Sequence, residues 1–153
     1  MKYEKLVVIA ATPEEVWSLV EDIPVLATCI PGLVSFEMQD AHRFTSVVSV
    51  KVGPVQPRFR LSTELVDLDP PHALTVVSEG SDPALNSRVR QRQSVTLQPV
   101  DGGTQVAIDL DLQISGRIAT FGQRIIASKA EEFATEVIAN VERVLASRRR
   151  PGP

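Results

Sequence analysis

Between Gln105 and Ile114 the chain alternates cleanly. Val106, Ile108, Leu110, Leu112 and Ile114 are apolar, and Gln105, Ala107, Asp109, Asp111 and Gln113 lie between them. Successive side chains on a strand point to opposite faces, so this pattern predicts a strand with one dry face and one wet face. A dry sheet face must be covered. The cover is written at the C-terminal end, where Ile118, Phe121, Gly122, Ile125, Ile126, Phe133, Val137, Val141 and Val144 fall near a 3.6-residue period. A helix over about residues 118–146 would be roughly 40 Å long, and no other predicted element is long enough to cover a sheet.

The two-residue period extends back through most of the chain. Phe44, Ser46, Val48, Val50 and Val52 alternate with Thr45, Val47, Ser49 and Lys51; Phe59, Leu61, Thr63 and Leu65 alternate with Arg58, Arg60, Ser62 and Glu64. A strand over Leu74–Ser78 follows, and turns are expected at Gly53-Pro54, at Asp69 to His72 and at Asp101 to Gly103. Ahead of these, Lys5 to Ala11 reads as a first strand. Thr12, Pro13, Glu14 and Glu15 then open a helix, with a capping threonine, a proline at the first helical position and acids at the positive end. That helix carries Val16, Trp17, Leu19 and Val20. Pro24 stops it or starts a second short turn, and Pro31-Gly32 releases the chain into strands. Strand, two short helices, about six strands and a long helix make an α+β plan. One domain is expected over 1–147, with a flexible basic tail over 148–153.

Apolar residues make up 43% of the chain and charged residues 23%, ordinary values for a globular protein. A formal net charge of -3 gives no support to nucleic-acid binding. Cys29 is the single cysteine, which excludes an intrachain disulfide and suits a reducing compartment. The N-terminus runs straight into an apolar strand without a signal-peptide core, and no apolar run approaches the roughly 20 residues of a spanning helix. The expected location is cytoplasmic. Two isolated histidines and one cysteine offer no metal-ligand spacing, and Asp109 and Asp111 belong to the wet strand face, so no metal is expected. His42 and His72 sit beside predicted turns, and no motif ties either to Cys29, so no catalytic constellation is read.

Several pieces, taken together, look familiar. Thr12 to Trp17 followed by Cys29-Ile30-Pro31-Gly32 resembles the start of the CoxG family of carbon monoxide dehydrogenase subunits, as do Lys51-Val52-Gly53-Pro54 and Asp67 to Pro71. Gly116 followed by Gly122 to Ile126 resembles that family's last strand and helix. The resemblance implies the START-like SRPBCC fold, a helix-grip in which a curved seven-stranded antiparallel sheet wraps a long C-terminal helix. It further implies a cavity for a hydrophobic molecule, such as a lipid or a quinone, and an accessory role beside a molybdenum hydroxylase. Some members carry a membrane-anchoring extension. Here the chain ends in arginines soon after the last helix, so at most peripheral membrane contact is expected.

Within that frame the expected cavity wall is Cys29, Phe44, Val48, Phe59, Leu61, Gln91, Gln93, Ile108, Leu110, Ile118, Phe121 and Ile125. Cys29 there is a buried small apolar residue rather than a nucleophile. Gln91 and Gln93 share a strand face with Val89, Val95 and Leu97. Two amides on a dry face need partners, supplied by each other, by water or by a polar group of a ligand. Arg58, Arg60, Arg88, Arg90 and Arg92 fall on outer faces of two strands and offer a surface for an acidic partner, or else a solvated exterior paired with Glu64, Asp67 and Glu79. The expected function is non-catalytic binding of a small hydrophobic molecule, with no resident cofactor. The alternatives are a cyclase or hydrolase of the same fold, which needs a titratable group on the inner faces, where none is expected, and a structural subunit with a filled core.

Overall fold

A computed structural model of the chain describes residues 1–149. Seven strands form one antiparallel sheet in the order β1-β7-β6-β5-β4-β3-β2. They are β1 (Lys2–Ile9), β2 (Leu33–Asp40), β3 (Arg43–Ser49), β4 (Arg58–Asp69), β5 (Ala73–Asp82), β6 (Ser87–Val100) and β7 (Gly103–Gly116). Helices α1 (Pro13–Val20) and α2 (Ile23–Ala27) follow β1, and α3 (Gln123–Arg149) closes the described chain. Within this sheet the β1-to-β7 pairing joins strands distant in sequence, and every other neighbour is reached by a direct connection.

Local chemistry accounts for the element ends. Thr12 caps α1 by accepting from the Glu15 amide at 3.1 Å, and the Glu15 carboxylate accepts from the Thr12 amide at 3.0 Å, which completes a capping box. Pro24 sits in the first turn of α2, where its missing N–H costs nothing. At the entry to β2, Gly32 has φ +77°, and an added Cβ would lie 2.0 Å from the Ser49 carbonyl oxygen. No other residue fits there.

Three expectations need correction. The first strand is Lys2–Ile9, not Lys5–Ala11, because Lys2, Tyr3 and Glu4 pair in register with Asp111, Leu110 and Asp109 of β7. The final helix is not continuous from 118: Arg117–Phe121 forms a 3-10 turn, and Gly122 (φ +90°, ψ 160°) separates it from α3. Gly122 therefore breaks the run rather than lying within a helix, and a Cβ there would meet nothing within 4 Å. Finally, α3 runs on through Arg148 and Arg149, two residues into the expected tail. Both are held: Arg148 reaches Asp22 at 2.9 Å, and Arg149 reaches Glu15 at 2.6 Å. The rest of that tail, 150–153, lies outside the described residues.

The space between sheet and helix is packed at both ends. One core joins Ile9, Val16, Trp17, Leu19, Phe44 and Leu145 with their neighbours. A smaller one gathers Val52 and Phe59 around Ile118, which is fully buried and donates its amide to Ser87 Oγ at 3.0 Å.

Candidate functional site

Between these cores lies a cavity of about 250 Å³, walled by β1, β3 to β7, the 3-10 turn and the first half of α3. Its walls are mostly Val, Ile, Leu and Phe, because the inward positions of alternating strands meet the apolar stripe of a helix there. Ala130 and Ala134 face it from α3, and their small side chains leave the space opposite the sheet unfilled.

Of the expected wall residues, Val48, Phe59, Leu61, Gln91, Gln93, Ile108, Leu110 and Ile118 line this cavity. Cys29, Phe44, Phe121 and Ile125 do not. Cys29 is buried under α3, with Sγ 3.9 Å from the Val25 carbonyl oxygen, while its own carbonyl accepts from Asn140 Nδ2 at 3.0 Å. Burial pushes its thiol pKa up, against the ionisation that a nucleophile needs. Phe44 belongs to the larger core and packs against Phe36 with ring centroids 5.4 Å apart and the planes tilted by 55°. Phe121 packs beside Val52 and Phe59. Ile125 is 42% exposed, since the break at Gly122 resets the helix phase and turns Ile126 inward instead.

The polar groups of the cavity fall in a seam. Register places Thr63 beside Ser78, Ser78 beside Gln91 and Gln91 beside Leu112, while Gln93 lies two residues along β6. The buried Thr63 and Ser78 hydroxyls satisfy each other at 2.9 Å. Among the described residues, neither glutamine amide has a hydrogen-bond partner, and the two do not bond to each other. Both line the open space.

Two titratable residues also reach the cavity, against the expectation that the inner faces hold none: Tyr3 and Lys129. A first strand read from Lys5 hides Tyr3; with Lys2 as its first residue, Tyr3 shares a face with Lys5, Val7 and Ile9. Lys129 follows Ile126 by three and precedes Phe133 by four, so its stem belongs to the apolar stripe while its ammonium reaches out. Both tips turn to acids of α3. Tyr3 Oη donates to Glu131, Lys5 Nζ lies 3.3 Å from the same carboxylate, and Lys129 Nζ lies 3.6 Å from Glu132. Burial and then the Glu131 contact push the Tyr3 phenol up to about 12. His42 and His72 are both exposed at turns, away from this cavity, and no three of the described His, Cys, Asp and Glu residues come together as metal ligands.

The five outer arginines do not form one patch of neighbouring strands, since β5 separates β4 from β6. Arg90 pairs with Glu79 at 3.8 Å and Arg92 with Asp67 at 3.4 Å. Arg58, Arg60 and Arg88 are exposed and have no carboxylate within 4.0 Å of their guanidinium groups among the described residues.

A seven-stranded antiparallel sheet gripping one long helix around an apolar cavity is the helix-grip architecture of START and Bet v 1-like proteins. The family model for the carbon monoxide dehydrogenase component CoxG matches residues 7–146, and the chain belongs to that family. Among solved structures, a conserved protein of Geobacillus kaustophilus superposes with a TM-score of 0.89 at 22% identity, over 96% of each chain. The ZhuI aromatase/cyclase from Streptomyces sp. R1128 gives 0.69 at 16% identity, over 98% of this chain and 96% of its own. Ara h 8.0201 gives 0.68 at 13% identity, over 96% and 98%. At these identities the likeness concerns the fold alone. Comparison with curated protein sequences finds no match. Among the described residues, no helix is long and apolar enough to cross a membrane.

Proposed function

We propose that the protein binds a small, ring-bearing apolar molecule with hydrogen-bonding substituents, a quinone-like head group, and performs no chemistry on it. The observation that carries this reading is the cavity of about 250 Å³ with two amides, Gln91 and Gln93, unpartnered among the described residues, in a mostly apolar wall whose other polar groups, Ser78, Tyr3 and Lys129, are already paired. A cavity of about 150 Å³ holds benzene, and drug-sized ligands need about 300 Å³ or more. The space therefore suits one or two rings and not a whole acyl chain. Burying roughly 200 Å² of ring surface supplies about 5 kcal/mol. The amides would fix orientation by donating to ring carbonyl oxygens. Tyr3 and Lys129 give a cyclase or hydrolase reading its one support, but both commit their polar tips to Glu131 and Glu132, and neither pairs with a second cavity-facing acid or base. Family membership supports an accessory role beside a molybdenum hydroxylase of the carbon monoxide dehydrogenase type.

The test is mass spectrometry of gently isolated protein after organic extraction, followed by titration with a short-chain benzoquinone. The expected result is a stoichiometric quinone or similar ring compound, displaced by the added quinone. A protein that arrives empty and takes up no benzoquinone would remove the carrier reading. Co-purification with a large hydroxylase subunit tests the accessory role separately.

A further inference from the structure

A second concavity, of about 1300 Å³, runs across six strands from Ser35 on β2 to Ser115 on β7, lined by outward residues such as Arg60, Ser81 and Arg88 together with Leu61, Val89, Leu112 and Ile114, which also line the cavity. One cross-strand row forms its centre: register sets Val47 against Arg60, Arg60 against Ser81, Ser81 against Arg88, and Arg88 against Ser115. Arg60 and Arg88 thus stand either side of Ser81, about 9.5 Å apart at two strand spacings. The row contains no acid. The groove's two carboxylates lie elsewhere: Glu79, in the next row, is engaged by Arg90, and Glu37 sits on β2 opposite Thr45. Two uncompensated guanidinium groups in a groove, on a chain of net charge -3, make a local positive site that the fold itself does not neutralise.

We propose that this groove docks an acidic, extended segment of a partner protein, its carboxylates held by Arg60 and Arg88. Guanidinium forks take carboxylates in two parallel hydrogen bonds, and the hydroxyls of Ser81 and Ser115 add donors between and beside them. Six strands span roughly 24 Å, which an extended chain covers in about seven residues. A concave floor favours a single chain over a flat bilayer surface. At the β7 end the groove passes Ala119 and Gln123 and reaches Ile126, which, like Leu61, Val89, Leu112 and Ile114, also lines the cavity. A segment docked here would hold its parent protein beside the cavity, whatever that cavity contains; the proposal does not rest on the quinone reading.

The experiment is fluorescence anisotropy with labelled heptaglutamate, heptaglutamine as the neutral control, and pelleting with phosphatidylglycerol vesicles in parallel. The acidic peptide is expected to bind at low ionic strength and to be released by salt, with the neutral one inert. Arg60→Glu/Arg88→Glu should weaken the peptide by at least about tenfold, and Arg60→Gln/Arg88→Gln by less. Lys51→Glu, on an exposed turn outside the groove, should change nothing. Both double variants should keep the parental melting temperature and cavity uptake, because the substituted side chains are exposed. Failure of the parent to bind the peptide, equal binding by the Arg60→Glu/Arg88→Glu protein, or capture by vesicles without the peptide would each overturn the proposal.

Discussion

Tyr3 is the only tyrosine in the chain, so phenolate absorbance reads that residue alone. Its pKa stands near 12, raised first by burial and then by the Glu131 hydrogen bond. A folded-state pKa above the unfolded value of about 10 means that the contact stabilises fully below pH 10 and is lost as the pH rises through 12. A spectrophotometric titration should therefore show no phenolate near pH 10 while circular dichroism still reports the native fold. Glu131→Gln should move the midpoint down without bringing it to 10, since burial remains. A midpoint of 10 in the parent protein would mean that Tyr3 does not turn towards α3. Gln91 and Gln93 make the opposite case, of polar groups with nothing to hold. Replacing either with leucine removes an unpartnered amide from the cavity wall and puts apolar surface in its place. The empty protein should melt higher, while affinity for a benzoquinone falls by about tenfold per lost charge-neutral hydrogen bond. Binding of a ring without carbonyl groups should hold or improve; equal loss for both ligands would remove the orienting role of the amides.

The long helix shows where sequence pattern and element part company. Ile118, Phe121 and Ile125 fit a 3.6-residue period with Val137 and Val144, which is why one helix from 118 is the natural reading. Periodicity records which residues are apolar, and a turn that buries Ile118 and a helix that buries Ile126 can share an apolar run without sharing a phase. Gly122 is the visible signal of the break. Its φ of +90° with ψ of 160° lies in a region that side chains other than glycine rarely enter, so Gly122→Ala should cost about 1–3 kcal/mol in urea unfolding. Towards Arg149, α3 is held by charge rather than by an apolar pattern. Arg149 donates to both oxygens of Glu15, at 2.7 and 2.6 Å, and with the Thr12 amide holds that carboxyl at about 2. A depressed pKa means the contribution is present above the ordinary value of 4.5 and is lost as the pH falls towards 2. Thermal melts followed by Trp17, the single tryptophan, should drop more steeply between about pH 5 and pH 2 in the parent than in Arg149→Ala. Parallel pH profiles would mean that the pairing does not tie α3 to α1.

At the scale of the whole molecule, the strand alternations and the apolar stripe of α3 are enough to specify sheet, helix and inner face, because burial imposes one period on each. The void is not legible in the same way. Whether facing side chains meet or leave a gap depends on summed volume along two surfaces, and Ala130 and Ala134 read as ordinary good helix formers until the sheet stands opposite them. That distinction is itself testable. In a densely packed core, forcing in a larger side chain costs about 1–3 kcal/mol; in a real cavity the added ring gains dispersion contacts and costs little. Ala134→Phe should therefore fold, melt at or above the parental temperature and lose uptake of the benzoquinone, while Ala134→Ser should keep both properties. A destabilised Ala134→Phe would mean that sheet and helix already meet, and the filled-core subunit would then be the better account. A stable Ala134→Phe that still takes up quinone would move the ligand out of the space between sheet and helix, and Gln91 and Gln93 with it.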